Sequence, residues 1–394
     1  MAMRVIGLMS GTSYDAVDAA AADLRVEGDT LHLTPLGMIS QVYGERLRAE
    51  IAAALPPAHT TLETVCRLDS RIGQAFAEAA DRADRELCGG RADLVASHGQ
   101  TVFHWTENGR VHGTLQIGGA AWIAERTGLP VVSDFRSADV AAGGQGAPLV
   151  GMVDVMWLRD RPGCPVALNL GGIANITVSG GARAPYAYDT GPGNALIDAA
   201  ARYLTHGRCA IDEHGAMAAR GRVSRPLLDR LLDEPYYARP APKTTGKELF
   251  HLPYLLAASA GLEPLEADDI LATVTALTAH TVAAAVRDCG GTEVVASGGG
   301  TCNPTLMRML RAELTGVPVR TSDELGVPAE AKEAYAFAVL GFLTAHGLAG
   351  TLPACTGARH ASVLGSITPG AGPLRLPPPV DGGAPVRLRV AGRP

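Results

Sequence analysis

Val5-Ile6-Gly7-Leu8-Met9-Ser10-Gly11-Thr12-Ser13, followed by Asp15 and Asp18, is an apolar strand-like run that ends in a glycine- and hydroxyl-rich turn. Three later segments repeat the plan. They are Val166-Ala167-Leu168-Asn169-Leu170-Gly171-Gly172-Ile173-Ala174-Asn175, Tyr188-Asp189-Thr190-Gly191-Pro192-Gly193-Asn194 and Val294-Val295-Ala296-Ser297-Gly298-Gly299-Gly300. Glycine lets backbone N–H groups approach an anion closely, and small hydroxyl residues add donors without bulk. Several such turns, each directly after a strand, indicate a phosphate-bearing ligand held between two halves of one chain.

Outward from these turns, apolar runs at 3–9, 17–24 and 31–40 read as three strands, followed by helices near 44–54 and 62–87. Val65, Leu68, Ile72 and Phe76 recur every three or four residues and give the second helix one apolar face. Asp93 to Ser97 reads as a short buried strand ending in the polar turn His98-Gly99-Gln100-Thr101, and a helix near 119–127 leads to a strand from Pro130 to Phe135. The second half repeats the order. It has strands at 166–170, 173–179 and 184–188, a helix after Gly193 with Asn194 as its N-cap, and a polar, Pro-rich insertion at 234–253. A long helix at 268–287, a strand at 293–297, a helix from Pro304, a strand at 317–321 and a helix at 329–346 follow. Strands alternating with helices, twice over, give an α/β fold class with two domains. The expected boundaries are 1–135 for the first domain, completed by a segment near 345–370, and 136–345 for the second. The Pro/Gly-rich stretch 371–394 reads as a tail.

Composition narrows the classes. The 394 residues suffice for two domains of about 100–200 residues each. With 47% hydrophobic and 19% charged residues the chain is globular, and a net charge of −6 without a long basic run argues against a nucleic-acid partner. No apolar stretch of about 18 residues is free of Gly, charged or polar breaks, so no membrane span is expected. The seven cysteines are widely spaced without a C-x-x-C pair, which suits a reduced, cytoplasmic protein.

Each motif has a bland reading beside the functional one. Ser10 to Ser13 is either a hairpin turn or a phosphate loop; Asp15 and Asp18 just downstream suit Mg²⁺ or its waters. No Gly-Lys-Ser/Thr follows, so it is not a Walker A loop. Asp189, at a strand end before Thr-Gly-Pro-Gly-Asn, is either a helix cap or a general base at the carboxyl edge of a sheet. Gly298, Gly299 and Gly300, before Asn303 and Pro304, suit a flat adenine or an α-phosphate laid on backbone. His98, Gln100, His104, Gln116, Asp134 and Arg136 flank short strands of the first half. The two histidines lack a third ligand at metal spacing, so hydrogen bonds to a polar substrate are the better reading. Lys243-Thr244-Thr245-Gly246-Lys247-Glu248 reads as a solvated loop, and Glu333 as a first-turn helix acid.

Taken together, these segments resemble the 1,6-anhydro-N-acetylmuramic acid kinase family. The matching pieces run from Ile6–Asp18 through Ser97–His104, Leu115–Gly118, Ser133–Arg136, Gly143–Val150, Asn169–Asn175, Asp189–Asn194, Pro242–Phe250 and Ser297–Asn303 to Lys332–Ala338. The resemblance implies the acetate and sugar kinase/Hsp70/actin fold, with two RNase H-like domains around a central cleft. It implies ATP and Mg²⁺ as cofactors. Gly11, Thr12, Ser13, Tyr14, Asp15, Ala16, Val17 and Asp18 would wrap the phosphates, with Asp15 and Asp18 on the metal. Gly171, Gly172, Asn175, Gly191, Gly193, Asn194, Gly298 to Gly300 and Asn303 would complete the nucleotide site, and Asp189 would be the catalytic base. Ser10, His98, Gln100, Thr101, Gln116, Asp134 and Arg136 would meet the sugar, with Glu333 reaching in from the second half. Three departures stand out: Ala16 where the family commonly has glycine, Asp154 where some members have histidine, and Thr244 with Lys247 in a motif often written Lys-Ser-Thr-Gly-Arg-Glu.

The implied activity is phosphorylation of an amino sugar with opening of its anhydro bridge, in reuse of cell-wall sugars. The expected partners are the sugar and ATP, with neither nucleic acid nor membrane; a homodimer is left open. Two non-enzymatic readings compete, a nucleotide switch and a sugar-sensing repressor of the same fold. The first would need a peptide-binding domain or polymerisation loops, the second a DNA-binding module ahead of the first strand, and the sequence supplies neither.

Overall fold

The computed structural model describes residues 2–391 except Pro57, Asn108, Ala182, Pro242, Lys247, Pro379, Asp381 and Gly382. Two positions of the motif at 242–250, Pro242 and Lys247, thus lie outside the described residues, as do six positions of the expected tail. The chain divides into two compact units: Met1–Asp160 with Leu325–Val327 and Ala331–Pro394, and Arg161–Glu324 with Pro328–Glu330.

In the first unit β1 (Met3–Ser10), β2 (Ala16–Glu27) and β3 (Thr30–Val42) form an antiparallel meander. Beyond β1, β4 (Leu94–Glu107) and β6 (Val131–Ser133) add in parallel, while β5 (Arg110–Ile117) folds back on the far end of β4. The sheet is covered on both faces, so β1 reads as a continuous apolar run rather than an alternating one. Val5 and Met9 face one core, while Ile6 and Leu8 face the other, under the helix Leu62–Ala83 with its Leu68, Ile72 and Phe76. The helix Lys332–Ala345 lies in the first core and is buried at every position but Glu333. An added Cβ at Gly7 would stand 1.9 Å from the Ala334 carbonyl oxygen and 2.7 Å from the Ala338 nitrogen. The helix therefore rests directly on the backbone of β1.

The second unit repeats the topology. Its β7 (Pro165–Leu170), β8 (Ile173–Val178) and β9 (Tyr186–Pro192) are an antiparallel meander, and β10 (Glu293–Ser297) and β11 (Val319–Thr321) add in parallel beyond β7. The shared order is β3-β2-β1-β4-β6 in the first sheet and β9-β8-β7-β10-β11 in the second, the RNase H-like arrangement, and its duplication is that of the acetate and sugar kinase/Hsp70/actin fold.

Several expectations need correction. The first unit runs on to Asp160 and takes in all of Lys332–Ala345, so the expected boundaries at 135 and 345 shift. A helix apolar on every side must be buried on every side, and this one fills the first unit's core. Glu333 accordingly belongs to the first unit, not the second. His98 to Thr101 is no turn, because β4 passes straight through it and pairs with β5. The stretch 371–394 is not merely a tail: Arg387–Val390 pairs in parallel with the outer edge of β3, while Ser366–Thr368, in the segment expected to complete the first domain, pairs with β6. Ala267–Asp288 is long and apolar enough to cross a membrane, yet 72% of its most apolar window is buried inside the molecule.

Candidate active site

Asp189 is placed by strand pairing. Asn169 on β7, Asn175 on β8 and Asp189 on β9 are register partners, so the three side chains share one face of the sheet. The register shifts between Ala174 and Asn175, because β9 carries one extra residue, Thr190, whose buried hydroxyl donates to the Ala174 carbonyl at 3.2 Å. Such bulges bend a strand and re-aim its side chains. The Asp189 carboxylate accepts the Thr245 N–H at 3.0 Å, and its carbonyl accepts the Tyr236 hydroxyl at 2.6 Å. Burial pushes the Asp189 carboxyl up to about 7, with Glu248 adding to the rise and the Thr245 N–H opposing it. Asp189 is thus no helix cap but a carboxyl group poised near neutral pH, where proton transfer in both directions is efficient.

The 234–253 insertion supplies that setting, which its polar sequence conceals. Tyr236 and Phe250 are buried, and the rings of Tyr236, Tyr237, Phe250 and Tyr254 pack against one another. The Lys243 ammonium donates to the Tyr236 and Tyr237 carbonyls at 3.2 and 2.9 Å, tying the loop to this cluster.

The three later turns interlock through backbone. The Gly193, Asn194 and Ala195 N–H groups donate to the carbonyls of Gly172, Gly171 and Gly172. Side chains at Gly193 and Gly300 would collide, at 2.3 Å with the Gly171 oxygen and 2.6 Å with the Leu170 Cβ. Gly298 adopts φ +85° and would meet the Asn169 side chain at 2.5 Å. Gly299, by contrast, has nothing within 4 Å of an added Cβ, so its surface is open to a ligand. Two expected nucleotide contacts have other duties. Asn194 is not the N-cap, which is Gly193; its amide donates to the Leu170 carbonyl at 3.2 Å. Asn303 caps the helix Pro304–Glu313, accepting the Leu306 N–H at 3.0 Å.

In the first unit the Ser10–Asp18 turn is held from within. Tyr14 N–H donates to the Gly11 carbonyl at 3.1 Å, and Tyr14 takes φ 44°. Gln100 is fully buried: its amide N–H donates to the Gly11 carbonyl at 3.1 Å, and its oxygen lies 2.8 Å from the Ser10 hydroxyl. Ser10 is buried as well, 2.8 Å from the Ala16 carbonyl. Both residues expected on the sugar therefore brace the turn instead. Thr12 and Ser13 stand exposed at its tip.

His98 is likewise a brace. It is buried; its Nδ1–H donates to the Gly99 carbonyl at 2.9 Å, and its Nε2 accepts Arg136 Nε–H at 2.9 Å. Burial and the Arg136 charge hold it neutral, far below the usual imidazole range. With both nitrogens taken, it has none left for sugar or metal. Arg136 also donates to the Gly146 carbonyl at 2.6 Å; burial pushes it down to about 10, against the pull of Glu333 and Asp139. Asp139 gave no signal in sequence, yet it is fully buried and accepts the Gly146 N–H at 2.8 Å and the Thr356 hydroxyl at 2.7 Å, fixing that loop. Glu333 lies in the electrostatic reach of Arg136, Lys332, Asp18 and Asp154. Burial pushes its carboxyl up, and the two cations oppose this.

Thr101 and Gln116 are register partners on β4 and β5, and the Gln116 amide donates to the hydroxyls of Thr101 and Thr114 at 3.2 and 2.8 Å. Asp134 is exposed, with φ 56°, and accepts the Ser137 hydroxyl at 2.5 Å. Thr101, Gln116 and Arg136 are half-buried and Asp134 is exposed, so all four retain surface open to solvent.

For the metal, Asp15 has one oxygen committed to its own turn, accepting from the Ser13 hydroxyl at 2.7 Å and the Ala16 N–H at 3.0 Å. Asp18 is a half-buried carboxylate on β2, opposite Met9. Among the described residues no three or more His, Cys, Asp or Glu side chains group as a metal cage. Mg²⁺ commonly uses one or two carboxylates and takes its other ligands from phosphate and water. The donors present fit a nucleotide-borne ion better than a resident one.

The family model for anhydro-N-acetylmuramic acid kinase matches residues 3–370. The anhydro-N-acetylmuramic acid kinase of Streptomyces avermitilis is 69% identical over 386 residues, covering 98% of this chain and 99% of that protein. The protein of the same name from Streptomyces coelicolor is 63% identical with full coverage of both, and that from Caldanaerobacter subterraneus is 39% identical over 92% of this chain and 96% of its own length. A chain matched over nearly its whole length, at such identity and with this duplicated fold, belongs to the anhydro-N-acetylmuramic acid kinase family.

Proposed function

We propose that this enzyme converts 1,6-anhydro-N-acetylmuramic acid, ATP and water into N-acetylmuramic acid 6-phosphate and ADP, in the cytoplasm, for reuse of cell-wall amino sugars. The observation that carries the reading is Asp189: a carboxyl pushed up to about 7, at a strand end among glycine turns. In the substrate, O6 is locked in the anhydro bridge. Asp189 takes a proton from water, and the water oxygen bonds to the anomeric carbon. The C1–O6 bond breaks, and O6 attacks the γ-phosphorus as ADP leaves. The proton on Asp189 then passes to solvent. Backbone N–H groups and hydroxyls of Gly11 to Ser13 hold the transferring phosphoryl, while the turns at Gly171, Gly191 and Gly298–Gly300 seat the rest of the nucleotide. Asp18 would hold the Mg²⁺ that accompanies ATP, which would supply charge neutralisation at the phosphates. Thr101, Gln116, Asp134, Arg136 and Glu333 bind and orient the sugar.

The test is turnover in ¹⁸O-water: the label must enter the anomeric hydroxyl and be absent from the phosphate ester. Label in the phosphate, or phosphorylation with the ring intact, overturns the reading.

Two further results are expected. Asp189 acts as base only when ionised, and its raised value places that ionisation near neutrality, so kcat/KM rises with pH through about 7. A profile flat from pH 5 to 8 removes Asp189 as the base. His98→Leu deprives the half-buried Arg136 of its Nε acceptor. Hydrogen bonds to charged groups contribute about 1.5–3 kcal/mol, so KM for the sugar should rise roughly tenfold or more while KM for ATP stays put, as steady-state kinetics in each substrate will show.

A further inference from the structure

We propose that the C-terminal strand Arg387–Val390 and the buried Lys332–Asp154 ion pair beneath it are positioning elements for Glu333. The proposal rests on the reading above, in which Glu333 orients the sugar. The strand lies beyond the segment that the family model matches, which ends at residue 370.

The Lys332 ammonium meets the Asp154 carboxylate at 2.7 Å, and both side chains are only 7% exposed. The ammonium also sits 6.0 Å from the centre of the Trp157 ring. A buried charge pair holds only while both partners are present, well aligned and kept from water. Here the shield is the C-terminal strand. Leu388 and Val390 line, with Leu33, Trp157 and Tyr335, a cavity of about 20 Å³ around the pair, room for about one water molecule.

The strand is fastened on both sides. It pairs with β3 from Thr30 to Leu33, and Arg387 reaches Asp29 and, at 2.9 Å, Asp160, just beyond the helix Val150–Leu158 that carries Asp154 and Trp157. Peeling the strand away would open the pair to water and free that helix.

Glu333 is the next residue after Lys332, in the first turn of the same helix. Lys332 and Arg136 both favour its charge, whereas Asp154 opposes it. With Asp154 in place, the Lys332 ammonium is paired at 2.7 Å with that carboxylate, so its pull on Glu333, the larger of the two, is partly offset. Remove Asp154, and an uncompensated buried ammonium competes with Arg136 for the Glu333 carboxylate. The residue is then drawn from the place where it orients the sugar.

The experiment compares the full chain, a chain ending at Pro385, Asp154→Asn, Asp154→Glu and, as a control in the same segment, Arg375→Ala. Steady-state kinetics in both substrates are combined with hydrogen–deuterium exchange. Truncation and Asp154→Asn are expected to lower kcat tenfold or more with KM for ATP unchanged, and to speed exchange in residues 332–336 but not in β7–β9. Asp154→Glu should recover most of kcat, and Arg375→Ala should match the parent. Unchanged kcat in the truncated chain and in Asp154→Asn, or exchange at 332–336 equal to the parent, overturns the proposal. Should truncation prevent folding, Asp154→Asn against Asp154→Glu decides: equal kcat in the two overturns it. Absence of turnover in the parent chain fails the functional reading instead, and the exchange comparison still decides whether the strand and pair hold the Glu333 turn.

Discussion

Asp189→Asn should lower kcat by about 10²–10⁴, the usual cost of losing a general base. The substitution keeps the side chain's size and leaves an oxygen for the Thr245 N–H, so the local fold should persist. What disappears is the capacity to accept the water proton. Ring opening and phosphoryl transfer are then expected to fail together, because O6 becomes a nucleophile only as the C1–O6 bond breaks. Quench-flow measurement of ring-opened sugar and of ADP checks this directly. Ring opening at the parent rate without ADP release would show that the two steps are separate and that Asp189 serves only one of them.

Gly7→Ala should produce the largest loss of stability of any single-methyl change in the first unit. The new Cβ would sit 1.9 Å from one backbone atom of the helix Lys332–Ala345 and 2.7 Å from another. Overpacking of side chains usually costs about 1–3 kcal/mol. Here the obstacle is backbone, which cannot rotate away, so the loss should reach the top of that range or exceed it. The helix must slide along β1, and Glu333 moves with it. Urea unfolding measures the first effect, and KM for the sugar the second. Gly372→Ala, where nothing lies within 4 Å of the added carbon, is the control and should change neither. A Gly7→Ala protein as stable as the parent would mean that helix and strand are not in this contact.

Much of this was legible in the sequence, for a definite reason. Strand runs such as Val5–Met9 and Val166–Leu170 are buried on both faces, so their apolar content shows without any alternation to decode. Asp189 could be singled out in the sequence because a carboxylate at the end of such a run, before glycines, has few structural uses. The misreadings share another cause. Gln100, His98 and Ser10 looked like ligand contacts because polar residues in a strand normally face something polar. What they face is backbone carbonyl groups and a half-buried guanidinium of the protein itself. Thr245 acts through its N–H, which every residue except proline possesses, so no sequence signal marks it. Asp154 looked like a bare departure from the family pattern; its partner, Lys332, is 178 residues away along the chain, too far for any local pattern to show.

The interleaving of the two units bears on how the protein is made. The second unit is nearly continuous in sequence, whereas the first is opened at Asp160 and resumes at Ala331. Its core lacks the helix Lys332–Ala345 until the ribosome has added everything between. At roughly 5–20 residues per second, that interval is on the order of ten to forty seconds. Throughout it, the sheet face bearing Val5, Leu24, Leu33 and Ala96 lacks the helix Lys332–Ala345 that packs on it. The nascent chain is therefore a natural client for holding chaperones, and the first unit, although it emerges first, matures last.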